Sequence, residues 1–332
     1  MTHLTYLEAA VVGLVQGVTE LFPVSSLGHN VLIPALVGGS WARDLNVARP
    51  ESPYLAFIVG MHVATAIALL IYFWKDWVRI IKGFVSSIRD GQIETTDQRL
   101  AWMIIAATIP VGIVGLAFEH TFRVLFGVPI RAAIFLVVNG LILFAGEKFR
   151  TRASLRADAL IARELADGPP GAGVAARGPA HAQHAPGHQA VRQLEISRAV
   201  ASDQRLAKIG FGPATLIGSA QILALLAGIS RDGVAMVAGM FSGLSREDAA
   251  RFAFLLATPV ILAAGALKVP DLAGPLGNGI RGEVLVGSLL SGIGAYLSVR
   301  FLVRYFRTRT LTPFAIYCVA FGLASIIYLS VR

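Results

Sequence analysis

Six long apolar stretches run through the chain, at residues 53–74, 100–118, 128–146, 249–269, 283–303 and 312–330. Each is uncharged, or nearly so, through its middle, and each approaches the roughly 20 residues a helix needs to cross a bilayer. Transmembrane strands would alternate over segments of about ten residues, and no such alternation is present. The pattern predicts an all-α polytopic membrane protein.

Two further apolar stretches are interrupted. Residues 6–38 are broken by Phe22-Pro23-Val24-Ser25-Ser26, and residues 211–244 by Gly228-Ile229-Ser230-Arg231-Asp232-Gly233. Each arm is too short to span, so each stretch reads as a re-entrant helical hairpin. Its irregular backbone is tolerated at membrane depth only inside protein or beside a wet cavity. The spacing of Gly13, Gln16, Ser25 and Gly28 recurs in Gly218, Gln221, Ser230 and Gly233, and three spans follow each break. An odd number of spans inverts the second half against the first. The expected architecture is two inverted-topology repeats, residues 1–150 and 207–332, each a re-entrant hairpin plus three transmembrane helices. Paired broken segments of this kind point to a site near the bilayer midplane.

Residues 151–206 form the one hydrophilic interval. Its segment GPPGAGVAARGPAHAQHAPGHQ has almost no apolar bulk with which to offset ordering entropy, so a flexible linker is expected. His181, His184 and His188 lie close together there, but without neighbouring cysteine they read as linker residues. Lysine and arginine cluster on one side of the spans (Lys75, Arg79, Lys82, Arg89, Arg99, then Lys148, Arg150, Arg152, Arg156, then Arg300, Arg304, Arg307, Arg309). That side is read as cytoplasmic. The first hairpin then enters from outside, the second from the cytoplasm, and their tips meet within the membrane. Residues 1–8 lack a basic leader region, so the start of the chain is expected to belong to the mature fold.

Composition sharpens this picture. The chain is 55% apolar and 15% charged, with a mean hydropathy of +0.67, which excludes a water-facing globular domain. The net charge of +9 is accounted for by the cytoplasmic loops, so nucleic acid is not an expected partner. A single cysteine, Cys318, excludes a disulfide scaffold. The sequence does not fix the oligomeric state, and a homodimer is one assembly it admits.

An ionisable side chain inside a membrane costs about 2.5–3.5 kcal/mol to insert and is therefore a functional candidate. Glu20, His29, Arg231 and Asp232 all lie within a few residues of a hairpin break. Gln16 and Glu20 are one helical turn apart, on one face. Gly13 and Gly17, also one turn apart, allow close backbone approach. Ser25 and Ser26 open the arm after Pro23, where a hydroxyl caps a helix and free N–H groups attract an anion. A serine near an imidazole with a carboxylate behind it suits nucleophilic or general-base chemistry. In the second hairpin Ser230, Arg231 and Gly233 open a helix, and the guanidinium of Arg231 suits a phosphate or pairs with Glu20 or Asp232. His62 reads as a packed or hairpin-contacting residue, Cys318 as core or lipid-facing, and Glu147 as an interface cap. Ser245-Arg246-Glu247-Asp248, with Arg251, reads as a capped helix start.

These residues carry a resemblance. The run from Gln16 through Gly17, Thr19, Glu20, Pro23, Val24, Ser25, Ser26 and Gly28 to His29 resembles the signature of the undecaprenyl-diphosphate phosphatase family, integral membrane phosphatases of the bacitracin-resistance type. Ala227-Gly228-Ile229-Ser230-Arg231-Asp232-Gly233 is similar to its second motif. The resemblance implies hydrolysis of undecaprenyl diphosphate to undecaprenyl phosphate and inorganic phosphate at the outer face of the plasma membrane, with a divalent cation, Mg²⁺ or Ca²⁺. Carried over by position, Glu20 holds the metal or acts as base, with Gln16 beside it. Ser26 or Ser25 binds or attacks phosphate, His29 transfers protons or attacks phosphorus, and Arg231 with Ser230 clamps the diphosphate. Departures are Gln16 for a frequent carboxylate, Leu27 for a small polar residue, Asp232 for serine, Ala235 for threonine and Ala227 for proline. Asp232 is expected to supply the second metal carboxylate that Gln16 lacks. The alternative from another class is a prenyl-phosphate lipid transporter or flippase, or a catalytically altered paralogue, since broken helices in inverted repeats also build transporters.

Overall fold

The computed structural model describes residues 4–45, 53–167, 188–274 and 279–331. Its helices in chain order are α1 (Tyr6–Thr19), α2 (Ser26–Val37), α3 (Gly39–Asp44), α4 (Pro53–Tyr72), α5 (Trp74–Asp90), α6 (Thr96–Phe126), α7 (Pro129–Asp167), α8 (His188–Lys208), α9 (Phe211–Ala220), α10 (Arg231–Phe241), α11 (Arg246–Ala273), α12 (Arg281–Tyr305) and α13 (Thr312–Val331), with a 3₁₀ turn at Gln221–Leu225. No strand occurs among the described residues. Among the described residues five segments are long and apolar enough to cross a membrane: Thr96–Phe118, Pro129–Arg152, Arg246–Ala266, Arg281–Tyr305 and Thr312–Val331. The sixth expected span is α4, helical over 20 residues. Leu285, Leu289, Ile293, Leu297 and Phe301 recur every fourth residue on α12 and are all exposed, as are Ile105, Ile109 and Ile113 on α6. Continuous apolar stripes of this size need a non-aqueous neighbour.

The two interrupted stretches are helix–break–helix units, as the sequence predicts. A capping box starts α1: the Glu8 N–H donates to Thr5 Oγ1 (3.2 Å) and the Thr5 N–H to Glu8 Oε2 (2.8 Å). Small residues then let helices approach. A side chain at Gly13 or Gly17 of α1 would overlap the backbone of Gly287 or Ser291 on α12, and one at Gly218 of α9 would overlap the backbone of Ala107 on α6. In the same way α7 lies along α13, and α4 along α11 and α12. Helices from the two ends of the sequence thus interleave around one core.

Two polar intervals differ from expectation. The basic residues after α4 lie on a helix, α5, whose Gly83 abuts the backbone of Asp97 and Gln98 and whose Ser87 Oγ accepts from Trp102 Nε1 (2.9 Å). The interval 151–206, expected to be a flexible linker, is helical at both ends. Helix α7 runs on to Asp167, and α8 opens at His188. His181 and His184 lie outside the described residues. The C-terminal half of α8 is ordered by charge pairing: buried Asp203 accepts from Arg79 (2.5 Å) and Arg251 (2.9 Å), and buried Asp248 accepts from Ser202 (2.5 Å) and Arg205 (2.7 Å). Ser245 caps α11 as expected, accepting from the Asp248 N–H at 3.0 Å, yet the acid beside it anchors another helix.

Candidate functional site

The site is assembled at the two breaks. Helix α1 ends at Thr19, and Pro23, with no N–H to donate, forbids its continuation. Ser25 then takes φ 67°, and no other described non-glycine residue has a positive φ. A left-handed serine costs of order 1–3 kcal/mol. Its Oγ accepts from the Gly28 N–H, capping α2, and from the Gly228 N–H of the second hairpin, each at 3.2 Å. Gly228 has no room for a side chain against the backbone of Ala132 and Leu136. Ser230 caps α10 the same way, accepting from the Gly233 N–H at 3.1 Å. Asn139 of α7 staples the tips together: it accepts from the Ser230 N–H (2.9 Å) and donates to the Pro23 carbonyl (3.0 Å).

Glu20 is the hub. Its Oε1 accepts from the Arg231 guanidinium at 2.8 Å, across the two hairpins. Its Oε2 accepts from the Ser26 hydroxyl and from the Gln16 amide (2.8 Å), with His62 Nε2 3.3 Å away. Asn30 Nδ2 donates to Gln16 Oε1 (2.6 Å), which fixes the amide with its NH₂ toward Glu20 and His62. An amide can therefore sit against Glu20 where a second carboxylate would repel it. Glu20 is 8% exposed, Gln16 0% and Asp232 1%, so these contacts act in a low-dielectric setting where ionic hydrogen bonds are strong.

Of the residues singled out from sequence, Gln16, Glu20, Ser26 and Arg231 form one hydrogen-bonded group. The hydroxyl oxygens of Ser25 and Ser230 are committed to backbone caps, and Gly233 supplies the N–H for one of them. His29 points elsewhere. Its Nδ1 lies 2.7 Å from the Ser25 carbonyl, which can only accept, so the proton is on Nδ1; neutral Nε2 then accepts from the Tyr317 hydroxyl at 2.7 Å. The ring lies against both Tyr317 and Phe321, which also stack on each other. Tyr317→Phe removes one neutral hydrogen bond worth about 1 kcal/mol. If His29 acts in the reaction, kcat should fall roughly five-fold with KM unchanged, as steady-state kinetics would show.

Sequence reasoning passed over His62, Asn30, Asn139 and Tyr317 as functional residues. His62 donates Nδ1–H to the Ile58 carbonyl (2.8 Å), which turns Nε2 to the hub. Its side chain is 27% exposed, against 6% for Glu20.

The residues present do not fit a resident divalent cation. A carboxylate has about four acceptor positions, and those of Glu20 face Arg231, Ser26, Gln16 and His62. Among the described residues no three His, Cys, Asp or Glu side chains group as ligands. Arg231 stands between the two expected metal carboxylates, with its Nε 3.5 Å from Asp232 Oδ1. Both Asp232 oxygens lack a hydrogen-bond partner among the described residues.

The bacitracin resistance protein BacA family matches residues 9–168 and 182–324. The chain belongs to that family. It is 57% identical over 330 residues to the undecaprenyl-diphosphatase of Mycolicibacterium paratuberculosis, covering 99% of each chain. It is also 57% identical to undecaprenyl-diphosphatase 2 of Frankia alni, covering 97% of each, and 36% identical to the undecaprenyl-diphosphatase of Acidiphilium cryptum, covering 98% of each. Family membership makes this a multi-pass membrane protein and sets the donor cluster at the hairpin tips in the context of lipid-diphosphate chemistry.

Proposed function

We propose that the chain hydrolyses undecaprenyl diphosphate to undecaprenyl phosphate and inorganic phosphate, recycling the lipid carrier of cell-wall synthesis and conferring bacitracin resistance. One observation carries the mechanism: the carboxylate of Glu20 accepts from the Ser26 hydroxyl on one oxygen and from Arg231 on the other. In this reading Glu20 takes the Ser26 proton as Oγ attacks the terminal phosphorus, and the bond to undecaprenyl phosphate breaks. Water then releases inorganic phosphate from Ser26, restoring the hydroxyl. Arg231 has guanidinium N–H groups beyond the one spent on Glu20, and these neutralise the charge developing on the phosphoryl oxygens. His62, the more open neighbour of Glu20, passes protons between the carboxylate and water.

The divalent cation, Mg²⁺ or Ca²⁺, enters this reading as the counter-ion of the diphosphate, hence as part of the substrate. The carboxylate of Asp232, ion-paired with Arg231 but without a hydrogen bond among the described residues, is the protein group left to meet it. Asp232→Ala is then expected to raise the cation concentration giving half-maximal phosphate release by about ten-fold, with the rate recovered at saturation. Unchanged cation dependence would remove Asp232 from this role. Phosphate release from undecaprenyl diphosphate in detergent, with and without EDTA, tests the activity itself, and lipid movement in liposomes without phosphate release would favour a carrier.

The inverted repeat belongs to the same proposal. Its support is the equivalence of Gly13 packed on α12 with Gly218 packed on α6, and of the Ser25 and Ser230 caps. The basic asymmetry of the loops supports placement in the plasma membrane with the site facing outside and the 151–206 interval in the cytoplasm. A homodimer remains compatible with this arrangement.

A further inference from the structure

At the C-terminal end of α12, Arg300, Arg304 and Arg309 line a groove of about 450 Å³ together with Leu297, Phe301 and Tyr305, and Phe301 also stacks on Phe22 of the first break. Arg300 and Arg304 are one helical turn apart on one face. Arg309 is brought back over the same face by the turn that ends the helix: its N–H donates to the Tyr305 carbonyl at 2.9 Å, and the Tyr305 hydroxyl donates to the Thr310 carbonyl at 3.2 Å. Among the described residues no acid lines the groove. The neighbouring Arg307 is turned to Glu247 at 3.3 Å, and Glu147 of α7 is taken up by Arg246 and by the Leu311 N–H.

Three arginines lining one groove without a carboxylate among the described residues repel one another, and an anion relieves that repulsion. Their planar donor forks match phosphate oxygens. The same groove opens onto the exposed stripe Leu285, Leu289, Ile293, Leu297 and Phe301, which leads an aliphatic chain along α12 into the bilayer. Charge, fork geometry and an apolar run beginning at the same residues describe a headgroup with its tail.

We propose that this groove binds an anionic phospholipid of the surrounding bilayer, phosphate on Arg300, Arg304 and Arg309 and acyl chain along α12. Its arginines are not among the residues assigned to hydrolysis, and its occupancy does not depend on the reaction assigned above.

The test is native mass spectrometry of the full-length protein exchanged into equal amounts of phosphatidylglycerol and phosphatidylcholine. A basic residue near an anionic lipid surface favours it by roughly five-fold, so wild type is expected to retain phosphatidylglycerol over phosphatidylcholine by about five-fold or more. R300Q/R304Q/R309Q should bring the ratio to near parity. Removing three charges also disturbs topology, so R300K/R304K/R309K is the companion variant. It keeps the charge and should lose at least half of the preference, because lysine lacks the bidentate fork. Phosphate release in detergent within about two-fold of wild type would show that either variant is folded. Equal retention of the two lipids by wild type, or an unchanged ratio in the glutamine variant, would overturn the proposal. Displacement of phosphatidylglycerol by an equimolar prenyl monophosphate would assign the groove to a monoester and overturn it as well.

Discussion

Glu20→Gln is expected to lower kcat for phosphate release by about 10²–10⁴-fold. Glutamine nearly preserves volume, but it removes the charge that holds Arg231 and replaces one acceptor oxygen with a donor. That NH₂ would face either the guanidinium of Arg231 or the donors of Ser26 and Gln16, since Glu20 accepts on both oxygens. The variant thus loses the base and leaves donors opposed to donors. Breaking a buried pair also destabilises by about 3–5 kcal/mol, so kcat is to be measured on the monodisperse fraction from size exclusion. A folded variant within ten-fold of wild type would show that Glu20 is not the base.

The second large effect is on folding. Gly218→Val places a branched side chain onto the backbone of Ala107, which cannot rotate away as a side chain could. Overpacking typically costs about 1–3 kcal/mol and more where backbone must move. Helix α9 would be forced off α6, and with it the hairpin that carries Arg231. The expected outcome is loss of monodisperse protein or a sharp fall in Tm in a dye-based thermal scan. Gly212→Ala on the same helix is the control. Nothing lies within 4 Å of a side chain there, and alanine gains about 0.5–1 kcal/mol over glycine in a helix. Equal Tm values for Gly218→Val and wild type would mean that the α9–α6 approach is not a constraint.

The sequence carried the features whose cause is local. Pro23 and the Ser25 cap announce the first break, the four matched positions announce the second, and Gly13 and Gly17 announce close packing because only small residues permit it. The clustering of Glu20, His29, Arg231 and Asp232 at the breaks pointed to the region where Glu20, Ser26 and Arg231 meet. What could not be read is what depends on helices distant in the chain. Asn139 and Tyr317 are single polar residues on apolar helices, and nothing beside them in sequence shows that one staples the tips and the other holds His29. His62 reads as touching a hairpin, but its partners Gln16 and Glu20 are not legible. The role of Gln16 needed Asn30 to fix which end of the amide meets Glu20. The helices α5 and α8 were hidden for a different reason: their charges, typical of solvated loops, pair with one another and with α11, so that Asp76, Arg79, Asp203 and Arg251 form one cluster.

The interleaving also bears on how the site is held. Glu20 and Arg231 are 211 residues apart, and neither hairpin completes the donor set alone. The Ser25–Gly228 hydrogen bond and the two bonds through Asn139 fix the tips with backbone groups. In the proposed mechanism that leaves Ser26, Glu20 and Arg231 to act on substrate.

A double-mutant cycle on kcat/KM for phosphate release, using Glu20→Gln, Arg231→Gln and the two together, measures whether the tips act as one unit. Residues in direct contact lose function together, so the double variant should be no more than a few-fold worse than the more damaged single one. Losses that multiply would mean that Glu20 and Arg231 work independently, and the shared site described here would be wrong.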